Sequence, residues 1–186
     1  DKDYPLAVVQ IDHTPVQVCL VDEVDRQPLR DPWLTLVIDC YSRMILAFYL
    51  TFEAPSTLSA GIALARAFLP KEDHLKNLGL SGDWPCWGFP DVIVVDNAAE
   101  LNGYMMHEAR SRYRFDLRDR PVGSPNFGGH VESAFRIFMH ELKSIPGTKF
   151  SNPQERAEYD SEGRAILTLR EFEVYFTDFI INDYHI

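Results

Sequence analysis

Cysteine is scarce in this sequence: three among 186 residues, at 19, 40 and 86, an odd number with no CxxC pair. That excludes a disulfide framework and a thiolate metal site, and points to a reducing compartment. No apolar run approaches the ~20 residues that cross a bilayer. The opening DKDYP lacks the basic-then-apolar order of a secretory signal, so a cytoplasmic protein that does not engage membranes is expected. Basic residues are also in short supply. Lys and Arg number 18 against 28 Asp and Glu, a net charge of −10, the wrong sign for a surface that attracts a polyanion by bulk charge alone. Internal repeats and low-complexity tracts are missing as well. What is there is ordinary for one sizeable globular core, with 46% hydrophobic and 12% aromatic residues.

LAVVQID (6–12) is apolar on both alternations, as a strand covered on both faces is. VQVCLV (16–21) continues it or pairs with it, and DEVDRQPLRDP (22–32) reads as an exposed turn. WLTLVIDC (33–40) and RMILAFYLTF (43–52), joined by a short YS turn, complete a three-stranded antiparallel meander. The period then becomes helical. Ser56 is a candidate N-cap, and Leu58, Ile62, Ala65 and Leu69 recur at helical spacing up to Pro70. Residues 70–90, with three prolines and three glycines, form an irregular connection. DVIVVD (91–96) is a second buried strand, 101–112 a helix, RFDLRD (114–119) a short strand and RPVGSPNFGG (120–129) a loop. VESAFRIFMHELKSI (131–145) is a helix with Val131, Phe135, Phe138 and Leu142 on one face. Residues 146–167 are expected to be mobile. A last helix over about 168–184 carries Leu169, Phe172, Phe176, Phe179 and Ile180 on its buried stripe.

This order predicts a single α/β domain over 1–186: a mixed five-stranded sheet, three antiparallel strands then two parallel, with helices on both faces. A helical crossover makes DVIVVD parallel to a strand of the meander. If that neighbour is LAVVQID, Asp12 and Asp96 end adjacent parallel strands at the carboxyl edge where open α/β sheets bind ligands. The two share a pattern of apolar strand, acid, then polar residue (His13, Asn97). Glu132 lies at the margin of the apolar face of its helix, with Arg136, Met139 and Lys143 along the same narrow strip.

Three converging carboxylates repel one another unless a divalent cation neutralises them. Oxygen donors without Cys or clustered His favour Mg²⁺, with Mn²⁺ as substitute, over Zn²⁺. Two such ions can activate an attacking oxygen and stabilise a leaving one at a phosphodiester. Taken singly, each acid has a plainer reading: a strand-ending Asp as a turn former, Glu132 as a first-turn acid favoured by the helix dipole. Asp39 is assigned to a turn and Glu100 to a helix start. His13, Asn97, His130, Arg136 and Lys143 divide between substrate contacts and ordinary polar surface.

QIDHT, LTLVIDCYSR, PDVIVVDNAAE and RPVGSPNFGGHVESAFR resemble the blocks of the retroviral-integrase-like Asp-Asp-Glu transposase core. Within it they are most similar to the large catalytic subunits of heteromeric bacterial transposons and to Mu-like transposases. Thirty-five residues stand between Asp96 and Glu132, a spacing common in that superfamily. The resemblance implies a ribonuclease-H-like fold and assigns Asp12, Asp96 and Glu132 as catalytic, metal-holding acids. It also implies two metal ions in the active complex, DNA at transposon ends and target as substrate, a homo-oligomer, accessory transposition proteins, action at the bacterial nucleoid, and further domains before Asp1 and beyond Ile186. Ser133 departs from the pattern, since many relatives carry a basic residue after the Glu. A hydrolysing ribonuclease-H-like nuclease or resolvase, and a catalytically silent assembly module, are the alternatives.

Overall fold

The computed structural model describes residues 3–96, 103–120, 125–148 and 165–186, without the side chains of 104, 105 and 125–128. Five strands, β1 (Val8–Pro15), β2 (Trp33–Asp39), β3 (Ile45–Thr51), β4 (Val92–Val95) and β5 (Asp116–Asp119), form one sheet in the order β3-β2-β1-β4-β5. β1, β2 and β3 are antiparallel, while β4 runs parallel to β1 and β5 parallel to β4. The three-then-two arrangement expected from the sequence is therefore present. Asp39 closes the β2–β3 turn, accepting from the Ser42 N–H at 2.7 Å, the Ser42 hydroxyl at 2.6 Å and the Leu6 N–H at 2.9 Å. It has the turn role assigned to it.

Helices α1 (Thr57–Phe68), α2 (Glu72–Leu78), α3 (Tyr104–Tyr113), α4 (Pro125–Glu141) and α5 (Leu169–Phe179) cover the sheet. A 3-10 turn, Leu142–Ser144, extends α4, and a π turn, Ile180–Tyr184, extends α5. One face of the sheet packs Val9, Ile11, Val37, Ile93 and Val95 against Ala60, Ala63, Leu64 and Ala67 of α1 and Met106 of α3. The opposite face packs Leu34, Leu36, Ile38 and Phe48 against Val131 and Phe138 of α4 and Phe172 and Phe176 of α5. Phe176 meets Phe48 and Phe138 edge-on, with centroids 4.8 and 4.6 Å away. Among the described residues no helix is long and apolar enough to cross a membrane.

α4 begins at Pro125, inside the 120–129 stretch expected to be a loop, β1 runs on past Asp12, its expected end, to Pro15, and the structure departs from the sequence expectation in three further places. Residues 16–21 form no strand of the sheet. β2 lies along one edge of β1 and β4 along the other at Val8–Gln10, and this buried stretch pairs elsewhere. The Cys19 N–H donates to Gly147 O at 2.8 Å and the Val21 N–H to Leu167 O at 2.9 Å. Gly147 has φ +91°, and a Cβ there would stand 2.7 Å from Cys19 O, so a side chain is excluded. Second, α2 occupies part of the connection expected to be irregular. Its seven residues are too few to show a period, and Gly79 (φ 72°) ends it in a left-handed cap. Third, α1 buries Ala60, Ala63, Leu64 and Ala67, whereas Leu58 and Leu69 stand 72% and 60% exposed. Small side chains bring the helix close to the sheet, and of its leucines only Leu64 is buried with them while Leu58 and Leu69 are left outside. Residues 149–164, most of the stretch expected to be mobile, lie outside the described residues.

Candidate active site

Alternation along β1 turns odd positions, Val9 and Ile11, toward α1, and so directs Gln10 and Asp12 toward α4. In β4 the odd positions Ile93 and Val95 likewise join the α1 face, leaving Val94 and Asp96 for the other. β1 and β4 are registered Val8↔Val92, Val9↔Ile93 and Gln10↔Val94. Continuing that parallel register by two residues sets Asp12 level with Asp96. The crevice where β1 and β4 part is lined by Gln10, Asp12, Val94, Asp96, Arg120 and Val131. Two acids remote in sequence thus share the carboxyl edge of the sheet, and α4, carrying Val131 and Glu132, lies over it.

The electrostatics follow from the placement. Burial raises the Asp12 carboxyl above its ordinary range. Its backbone bond from the His13 N–H, at 2.7 Å, works the other way. The charges of Asp96 and Glu132 raise it further, and that of Arg120 lowers it. Asp12 therefore lies within the electrostatic reach of both other acids.

Arg120 is a site residue that the sequence reading passed over. It follows β5 as Asp96 follows β4, and the register Val95↔Asp119 sets it level with Asp96. Its N–H donates to Val95 O at 2.8 Å. Its guanidinium donates Nη2–H to Glu132 Oε1 at 2.6 Å, and this bond, with the charges of Glu132, Asp96 and Asp12, raises its basicity. The signal was available: a charged residue directly after a strand, the same pattern that singled out both aspartates. An arginine in a run of alternating charges (RFDLRDR) reads as solvated surface when taken alone.

Among the described residues, no three His, Cys, Asp or Glu side chains stand arranged as a ready-made metal set; Glu132 is spent on Arg120. The donor chemistry nonetheless fits a hard divalent cation. Asp12 and Asp96 offer carboxylate oxygens at one crevice, and Gln10, 3% exposed, leaves its amide oxygen without a hydrogen-bond partner in the same crevice.

The remaining candidates are more scattered. The His13 ring, on the α1 side, shares a hydrogen bond of 2.7 Å with the Thr35 hydroxyl. Arg136 is exposed on α4 and donates to the Ser133 hydroxyl at 3.3 Å. Lys143 is exposed in the 3-10 turn beyond the helix, and His130 is half-buried two residues before Glu132. Asn97 and Glu100 lie outside the described residues. A roomier pocket lies beside α1 and α2, where the Lys71 ammonium donates to Arg66 O and Leu69 O at 2.7 and 2.6 Å. There it closes the C-terminus of α1.

The profile of the TnsB C-terminal domain matches residues 10–147. The transposition protein TnsB of transposon Tn7 from Escherichia coli is 36% identical over 169 residues, covering 88% of this chain and 24% of that protein. The transposase of transposon Tn552 from Staphylococcus aureus is 24% identical over 186 residues, all of this chain and 35% of that protein. The chain thus spans between a quarter and about a third of the length of these relatives. Among solved structures, the HTLV-2 integrase catalytic core domain in complex with magnesium (dimeric form) is similar with TM-score 0.47 and 14% identity, over 93% of this chain and 86% of that one. The catalytic core domain of BIV integrase is similar with TM-score 0.45 and 9% identity, over 86% and 78%. The family match extends from before Asp12 to beyond Glu132, and the chain belongs to the TnsB C-terminal domain family, a transposase-type core.

Proposed function

We propose that this chain is the catalytic core of a DNA transposase, in which Asp12, Asp96 and Glu132 hold two Mg²⁺ ions and carry out polynucleotidyl transfer at transposon ends. One observation carries the reading: Asp12, just past the β4-paired part of β1, and Asp96, just past β4, stand level on neighbouring parallel strands, and a third acid reaches Asp12 electrostatically from the helix above. When bound, the ions would neutralise the acids, activate an attacking oxygen and stabilise the leaving one.

The residues of the chain supply the rest. β1 and β4, hydrogen-bonded to each other and packed on both sides, are a stiff mount, so Asp12 and Asp96 present their oxygens from fixed points. Glu132 reaches the edge from a helix and adjusts to what binds there. The Gln10 amide oxygen, on the same strand face as Asp12, is placed to accept a hydrogen bond from bound water. Exposed Arg136 and Lys143 are assigned to DNA phosphates, as are His130 and Asn97, near the acids in sequence. His13, bonded to Thr35, is a weaker candidate for that role. Water and then a DNA 3′-hydroxyl would attack phosphorus in turn, without a covalent intermediate on the protein. DNA ends and target are the substrates. Assembly into a homo-oligomer with accessory transposition proteins belongs to the same proposal.

The test is metal-dependent strand transfer by the intact protein carrying Asp96→Asn or Glu132→Gln. Each is expected to reduce joined DNA products by at least ~10³-fold, the scale of losing a group on which transition-state stabilisation depends. Near-normal joining by either variant would refute the assignment. Cleaved but never joined products from the unaltered protein would identify a hydrolase instead.

A further inference from the structure

We propose that Arg120 is a positioning residue of this site, an internal cation that holds Glu132 until a divalent ion displaces it and then turns to a DNA phosphate. The inference rests on the three-acid reading and deepens it. Four observations point the same way. Arg120 is brought to the site by the sheet itself, through the β4–β5 register and its backbone bond to Val95 O. Its side chain is the more covered partner of the pair, 28% exposed against 59% for Glu132. It lines the same crevice as Asp12 and Asp96. Its guanidinium donates to the one carboxylate that must join the other two for a metal set to close.

The physical logic is competition. Three carboxylates around one crevice repel, and a chain that must fold before ions and DNA arrive needs a positive charge among them. A guanidinium is always protonated and binds a carboxylate through its planar fork, so it serves as that charge. A divalent cation carries twice the charge and draws on the same Glu132 carboxylate, so ion binding and the Arg120–Glu132 pair compete for it. Once released, the fork faces an edge where phosphates arrive, and guanidinium fits phosphate as well as carboxylate. A purely structural strut predicts something different. The backbone bond to Val95 O survives any side-chain change, so the fold would persist and ion binding would not respond.

The experiment is calorimetric titration of the chain with Mn²⁺, without DNA, for the unaltered protein, Arg120→Gln, Arg120→Lys and Asp12→Asn. Arg120→Gln is expected to bind Mn²⁺ about fivefold more tightly, which is ~1 kcal/mol at ~1.4 kcal/mol per tenfold. Arg120→Lys keeps the charge without the fork and is expected to tighten binding by a smaller factor; it answers the same question if the Gln variant does not fold. In strand transfer at saturating Mn²⁺, Arg120→Gln is expected to raise the KM for DNA about tenfold while kcat changes less, with partial recovery in Arg120→Lys. Unchanged or weaker Mn²⁺ affinity in Arg120→Gln, alongside lost affinity in Asp12→Asn, would overturn the role of Arg120 and leave the three-acid site standing. Undiminished Mn²⁺ affinity in Asp12→Asn would overturn both.

Discussion

Burial beside Asp96 and Glu132 holds the Asp12 carboxyl above its ordinary pKa, and that has a definite consequence for stability. The folded state keeps its proton to higher pH than the unfolded chain. Asp12 therefore contributes stability below the unfolded pKa, and the contribution is lost as pH rises through the folded value. At neutral pH and without divalent ions, ionised Asp12 works against the fold. Asp12→Asn is expected to raise Tm at pH 7 by on the order of 2 °C, with the gain vanishing below about pH 4, where Asp12 is protonated in the folded and the unfolded state alike. Calorimetry with and without Mn²⁺ checks it. The ion should raise the Tm of the unaltered chain and not that of the variant, and equal melting curves without ion would count against the description of Asp12. His185 has the opposite sign. Its Nε2 accepts from the Ile45 N–H at 3.0 Å, and burial pushes its pKa down to about 4 from 6.5. The neutral ring is the one that folds, so its contribution is present above pH 6.5 and lost as pH falls toward 4. His185→Gln retains an acceptor but does not titrate. Urea midpoints measured from pH 7 to 4 are expected to fall less steeply in this variant than in the unaltered chain.

At the scale of elements, α1 is the clearest case of a correct element with a misjudged face. Ser56 and Ser59 form the capping box that starts it, and that start was readable from the sequence. Its buried face was not. Leu58, Ile62, Ala65 and Leu69 and the observed Ala60, Ala63, Leu64 and Ala67 both satisfy a helical period, and hydrophobicity alone favours the leucines. Contact with β2 and β3 selects the alanines, because only small side chains allow the helix to lie that close. Ala63, fully buried, is expected to tolerate no enlargement: Ala63→Leu should cost ~1–3 kcal/mol by urea denaturation. Leu58→Ser on the exposed side should stay within ~0.5 kcal/mol. If the two costs came out reversed, the helix would be rotated from the face described.

At the scale of the molecule, Asp12 and Asp39 show what topology decides. Both close apolar runs of the sequence and both are aspartates, yet β1 and β2 are antiparallel. The pairings Val9↔Asp39 and Asp12↔Leu36 set Asp39 three residues away from the level of Asp12, at the amino end of β1. There it accepts three hydrogen bonds and holds the turn. Asp39→Asn is expected to cost ~1–3 kcal/mol of stability and leave Mn²⁺ affinity unchanged, while Asp12→Asn should do the reverse. Loss of Mn²⁺ binding in Asp39→Asn, with its fold intact, would mean that the site had been set at the wrong edge.

Much of this protein was legible in one dimension because the relevant physics is local. Apolar runs that end on acids, the switch from alternating to helical period, the capping serine and the Asp39 turn all depend on neighbours a few residues away. Strand order also followed, since a short turn enforces an antiparallel pair and a helical crossover a parallel one. Residues 16–21 misled because their apolar pattern suits a strand, while their backbone partners, Gly147 and Leu167, lie far along the chain. Arg120 escaped because its meaning lies in a register between β4 and β5 and in a carboxylate on α4, neither of which leaves a mark near position 120. The sequence by itself determined which acids could meet. Tertiary structure alone decided that a guanidinium meets them too, because pairing across strands brings together charges that no local pattern relates.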